Sequence, residues 1–273
     1  MIKFFVIVCG ALFLSSCTKI QTGLNFAPRI ATSKIDDAFD FKSEKLTKIK
    51  AQIDTDIQNS KKKLAEKLIG HIDQLEKYSA QTEISKTQMI RFFDDWADTQ
   101  TAMLESFTTS ADVTLKDLTP KEIENFKTYS EKKYAEELDL AKDKKAFIKK
   151  KREVFIKNYE RFFNNLTKEQ DQLLSDFIEK HSDYFVQRIV SRQKFSEEFY
   201  MKIKTQDFVL DTILSHYSGK RLDKITDVPL KKYLNQFFDF QVAFWKTTTE
   251  KQKTYFRNNL AGYRDELKKI ASN

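Results

Sequence analysis

The fold of this chain is restricted most by a shortage of residues that turn a backbone. Five glycines and three prolines serve 273 residues. An all-β chain turns roughly every 8–12 residues and needs Gly, Pro, Asn or Asp at each turn. The sequence is instead rich in Lys, Glu, Leu, Ala and Gln, which lose little side-chain freedom in a helix. An all-α fold follows. With 24 phenylalanines, relatively few side chains can fill a helical core.

Apolar periodicity supports this reading. Ile35, Phe39, Leu46, Ile49, Ile53, Ile57, Leu64 and Leu68 recur at threes, fours and sevens, as one face of a long helix does, with an interruption predicted around Asp40 to Ser43. Three further starts carry a capping box, in which a hydroxyl accepts from the N3 amide and a Gln or Glu reaches back to the cap amide. They are Ser85 with Gln88, Thr119 with Glu122, and Thr167 with Gln170. Pro120 suits the first turn of its helix, and Asp227 with Pro229 marks a looser start. Asn164-Asn165 and Ser218-Gly219 read as stops, and one helix is predicted to run from Leu173 through Phe199. The sum is an elongated helical bundle of about seven helices.

The N-terminus gives an address. Lys3 precedes an apolar run from Phe4 to Leu14 that is too short to span a bilayer, which needs about 20 residues, and that suits a signal peptide. It ends in Leu14-Ser15-Ser16-Cys17, which resembles the lipobox of bacterial lipoproteins. That resemblance implies cleavage before Cys17 and lipidation (palmitate among the acyl groups) of its thiol and freed amine. Two or more chains anchor stably where one holds marginally. Thr18 stands where enterobacterial lipoproteins kept in the inner membrane carry Asp, which implies the outer membrane, facing the periplasm. The expected organisation is a signal peptide over 1–16, a lipidated cysteine and polar tether over 17–31, and a bundle domain over 32–273. Removing Lys3 leaves a charge of 8 − 1 = +7 on the mature chain.

A search for catalytic chemistry returns little. His71, His181 and His216 lack metal-ligand spacing. No glycine-rich phosphate loop, nucleophile elbow or zinc-protease motif occurs. Cys17 is consumed by lipid. No enzyme activity, cofactor, metal or small-molecule substrate is expected. A basic segment holds Lys144, Lys145, Lys149, Lys150, Lys151 and Arg152. In an envelope its anionic partner is a head group or an acidic protein surface rather than nucleic acid, unless it is simply a solvated helix face. Arg188 and Arg192 extend the apolar stripe of His181 and call for carboxylate partners. Asp36 and Asp37, or Glu197 and Glu198, are candidates, giving a buried polar cluster of Asp36, Asp37, His181, Arg188 and Arg192 or a structural pair between helices.

The lipobox, Leu24-Asn25, Ile35-Asp36-Asp37, Leu166 to Gln170 and Arg192 with Phe195 together resemble a family of all-helical bacterial lipoproteins known as a domain of unknown function. The Leu-Thr-x-x-Gln signal at Leu166 to Gln170 resembles the motif of Spy/CpxP-type periplasmic chaperones, with Glu122 replacing Gln in the match at Leu118. The implied function is a non-enzymatic, lipid-anchored envelope protein that acts as a helical binding or scaffold module for a protein partner. A periplasmic holdase-like chaperone is the alternative.

Overall fold

The computed structural model describes residues 20–207 and 209–272. They form eleven α-helices and no strand. In chain order these are α1 (Ile20–Phe39), α2 (Ser43–Ser79), α3 (Lys86–Glu105), α4 (Thr108–Leu115), α5 (Pro120–Lys142) and α6 (Lys144–Phe163). There follow α7 (Lys168–Lys180), α8 (Ser182–Thr205), α9 (Val209–Tyr217), α10 (Val228–Lys246) and α11 (Glu250–Ser272). No helix among the described residues is long and apolar enough to cross a membrane. Cys17 and the segment 1–16 lie outside the described residues.

The count exceeds seven because apolar stripes continue across helix breaks. The helix predicted from Leu173 through Phe199 divides at His181 into α7 and α8. Asp143 ends α5 and caps α6, accepting from the Ala146 amide at 3.0 Å. The expected tether is also corrected over residues 20–31. This stretch opens α1, and its Ala27, Pro28 and Ala31 are buried. Small residues let α1 lie close on α2, so its core face looks polar by composition. Pro28 sits inside the helix, and Thr32 donates its hydroxyl to the Pro28 carbonyl at 2.6 Å. The interruption near Asp40 is where periodicity placed it. Asp40 takes a left-handed φ of 53°, and Asp36 Oδ1 accepts from the Phe41 amide at 3.1 Å.

All three capping boxes form with both hydrogen bonds. Asp227 accepts from the Leu230 amide at 2.8 Å. Each such cap contributes about 1 kcal/mol. Where no local cap exists, a distant carboxylate serves. Phe107 cannot cap α4, and the buried Asp56 of α2 accepts from the Ser110 amide at 3.0 Å and its hydroxyl at 2.6 Å. Glu266 of α11 accepts from the Ile20 amide at 2.7 Å.

With 37 residues, α2 is about 55 Å long and spans two cores. Ile49, Ile53 and Ile57 pack with α1, α4, α5, α8 and α9. Leu64, Leu68 and Ile72 pack with α11 and α3. A third cluster joins α7 to α10 through Leu174, Ile178, Phe240 and Phe244. A fourth lies under the connection between α9 and α10, where Leu222 and Ile225 cover Phe238.

That connection is strapped along α3. Leu222 N donates to Asp94 at 2.7 Å, Thr101 donates to the Gly219 carbonyl at 3.3 Å, and Arg221 reaches Asp94 and Asp98 at 3.8 and 3.6 Å. Gly219 lies so close that a Cβ built on it would fall 2.0 Å from the Ala97 carbonyl oxygen.

Candidate functional site: an aromatic cavity where three cores meet

The second, third and fourth clusters do not close on one another. Between them lies a cavity of about 430 Å³. Three helices present stripes to it. Met89, Phe92, Phe93 and Trp96 come from α3, and Asn158, Tyr159, Phe162 and Phe163 come from α6. Phe237, Phe238, Gln241, Phe244 and Trp245 come from α10. Their spacings of one, three and four are those of a single helix face. Leu75 and Tyr78 of α2 and Phe256 of α11 complete the wall. No charged side chain among the described residues lines it.

Bulky rings explain why the space stays open. Tyr159 and Phe244 meet at 4.6 Å between centroids, Phe163 stacks on Phe256 at 5.1 Å, and Phe93 meets Phe238 edge-on at 5.5 Å. Such pairs contribute about 0.5–1.5 kcal/mol each beyond burial and fix the rings in place. The Gln241 amide donates to the Tyr159 hydroxyl and joins two walls. Burial pushes the Tyr159 phenol above its ordinary range, so it stays protonated. Lys86 with Asp239 at 2.9 Å and Lys246 with Glu83 at 3.8 Å tie the start of α3 to α10 beside the cavity.

A buried histidine stands behind the α3 wall. His71 Nε2 lies 2.7 Å from Thr99 Oγ1, and its ring meets Phe92 and Trp96 edge-on at 5.6 and 5.4 Å. Burial lowers its pKa, with Asp95 opposing and Lys67 assisting. The other two histidines shift the same way. Burial beside Phe177 and Tyr233, with Lys180 and Lys232 assisting, lowers His181. His216 is exposed, but its ring lies flat on Phe195 at 3.7 Å, and partial desolvation on that face, with Arg188 and Lys220 nearby, lowers it from 6.5 to about 4. The folded state therefore favours neutral histidine while the unfolded chain takes up protons from about pH 6.5 downward. Stability present above that pH will fall as pH drops toward 4. Urea midpoints at pH 7 and pH 5 should differ, and replacing His71 and His216 by Gln should flatten the slope. Equal midpoints would contradict the histidine burial described.

The polar cluster predicted from sequence does not assemble. Asp36 is used by the Phe41 amide, and Asp37 pairs with Lys34 at 2.7 Å. His181 sits at the junction of α7 and α8, with its Nε2 buried and unpartnered. Arg192 pairs with Glu137 of α5 and donates to the Arg188 carbonyl at 3.2 Å. The antiparallel packing of α8 on α5 dictates this. Phe199 meets Phe126 at one end, so Arg192 falls beside Glu137, about 16 Å along α5 from Phe126 and the α1 terminus. A structural pair between helices thus forms, with a partner other than the candidates. Arg188 makes no ion pair among the described residues.

The basic segment opens α6. Arg152 binds Asp171 and Ser175 of α7, and Lys151 lies over the Phe147 ring at 4.9 Å. Lys144 and Lys150 have acidic neighbours at 3.9 Å, Asp183 and Glu153. Lys145 and Lys149 make no ion pair among the described residues. The six cations thus point around the helix rather than along one stripe, and two are committed to packing. No group of three metal-ligating side chains occurs among the described residues.

One motif escaped the sequence reading. Thr249 and Gln252 form a fourth capping box, at the start of α11. Gln252 meets Gln170, the N3 residue of the box on α7, in a reciprocal amide pair at 2.8 and 3.0 Å. Gln170 also donates to the Thr247 carbonyl, and Gln252 to the Asn165 carbonyl. Gln170 is fully buried, so the Leu-Thr-x-x-Gln motif is spent inside the fold and not displayed. A signal was available: Ser85, Thr167 and Thr249 are evenly spaced, with 167 − 85 = 82 and 249 − 167 = 82. The cavity lies among the three helix–turn–helix junctions these caps define.

No family profile, curated protein or solved structure matches the chain.

Proposed function

We propose that this protein is a non-enzymatic binding module, held at a bacterial envelope membrane by lipid on Cys17, that takes an apolar element of its partner into the cavity between α3, α6 and α10. The observation that carries this reading is the cavity itself. At about 430 Å³ it falls within the range of ligand sites, roughly 300–1,000 Å³, and its wall is aromatic and free of charge. The Ser79 and Tyr159 hydroxyls on this wall are engaged within the protein, so the wall suits apolar contact better than acid–base or nucleophilic chemistry. The lipobox at Leu14 to Cys17 supports the lipid anchor, and Thr18 after it supports the outer-membrane address.

A photo-crosslinking residue placed at Met89 or Phe237 in the native cell tests this. Adducts of defined composition are expected from both positions, absent from the exposed Lys62 and lost when Cys17→Ala mislocalises the protein. No adduct above the Lys62 level would end the reading. A broad set of unrelated exported proteins would replace it with the holdase alternative.

A further inference from the structure

We infer that the occupant of this cavity is a single long acyl chain, as carried by a free fatty acid or a lysolipid. The inference rests on the binding-module reading above and names its ligand.

Size removes the obvious competitors. A cavity of about 150 Å³ holds benzene, so about 430 Å³ leaves a lone aromatic side chain rattling. An α-helix with side chains is at least about 10 Å across, so two turns of one fill about 850 Å³ and do not enter. Shape points the same way. The α10 wall runs from Phe237 to Trp245, about 12 Å along the helix axis, and the α3 wall from Met89 to Trp96, about 10 Å. The space is thus lined by helix faces for about 10–12 Å, enough for the inner part of one extended chain.

Chemistry completes the choice. A head group with charge would be stranded on this wall, since burying an unpaired ion costs far more than burying a methylene. The polar side chains available are few: Ser79, Asn158 and Gln241, besides the Tyr and Trp edges. Ser79 and Gln241 already have partners within the protein, Glu76 and Tyr159. Two groups are left to meet an ester or carboxyl group: Asn158, at the exposed edge of α6, and the buried Trp245 indole N–H, which has no hydrogen-bond partner among the described residues. The ligand is therefore apolar over most of its buried length and polar at one end. An export signal and a lipid anchor would place the protein where such molecules are the prevailing apolar solutes.

The two tryptophans of the chain, Trp96 and Trp245, both line the cavity, so intrinsic fluorescence reads its occupancy. Brominated stearic acid, a contact quencher, is titrated into the full-length protein lacking its lipid. Saturable quenching at one chain per protein, reversed by unlabelled stearic acid, is the expected result. Palmitoyl-lysophosphatidylcholine reversing it as well identifies a lysolipid as a source; failure to do so restricts the source to free acid. Met89→Glu should weaken binding about tenfold or more. Reversal by stearic acid in the unmodified protein keeps the test valid if that variant misfolds. Quenching by bromopyrene, with none by brominated stearate, would overturn the acyl assignment and leave the binding-module reading intact. Quenching by neither would overturn the acyl assignment, while the binding-module reading stands or falls on the crosslinking from Met89 and Phe237.

Discussion

Gly219→Ala will destabilise this protein by about 3 kcal/mol, the upper end of what overpacking costs, because the neighbour is rigid backbone. The added Cβ would stand 2.0 Å from the Ala97 carbonyl oxygen and 2.5 Å from its Cα, so no side-chain rotation can relieve it. Either the strap lifts or α3 moves, and both disturb the wall formed by Phe93 and Trp96. Thermal unfolding followed by circular dichroism should show a fall of roughly 8 °C, at a few degrees per kcal/mol for a chain of this size. Trp96 emission should change before unfolding begins. Gly70→Ala is the control. Nothing lies within 4 Å of the Cβ it would add to α2, and it should stabilise by about 0.5–1 kcal/mol. If both glycine variants behaved alike, the contact between the strap and α3 would be wrong.

Gln170→Ala should cost about 3 kcal/mol, since it strips several buried partners at once. The Thr167 amide loses its acceptor at 2.9 Å, the Thr247 carbonyl its donor at 3.2 Å, and Gln252 both bonds of its reciprocal pair. Truncation in a site with no exposure also leaves a void among these polar groups. A double-mutant cycle with Gln252→Ala should give a coupling of about 1 kcal/mol or more, whereas separate caps would add. Strict additivity would mean that the two glutamines do not act as a pair. Lys168→Ala, on the exposed face of the same turn, should lie within about 0.5 kcal/mol of the parent.

What could be read from the sequence was local. Ser85, Thr119, Thr167 and Asp227 were legible because a cap lies within four residues of its partner. The break at Asp40 was legible because periodicity lapses there. Asp143 and His181 were not, since the stripes of α6 and α8 resume in phase with those before them. Residues 20–31 misled by composition: alanine and threonine read as polar linker where close helix packing needs small side chains. Arg192 was correctly read as seeking a carboxylate, but its choice of Glu137 depends on how α8 is laid against α5. The cavity was hidden for another reason. Phe92, Phe163 and Phe237 have the spacing of core residues, and only the arrangement of three clusters leaves space between them.

The pairing of α11 with α2 has a consequence for how the molecule comes into being. Arg264 binds Glu76 and Asp73, and Glu266 holds the first amide of α1, across separations of 188, 191 and 246 residues. A chain leaving the ribosome or a secretion channel N-terminus first must therefore keep the apolar face of α2 waiting through nearly the whole of its own emergence. Local turns can form meanwhile, but contacts so distant in sequence make for slow assembly. During that interval Leu64, Leu68 and Ile72 are adhesive surface, and the newborn protein is most open to capture, to aggregation and to proteases.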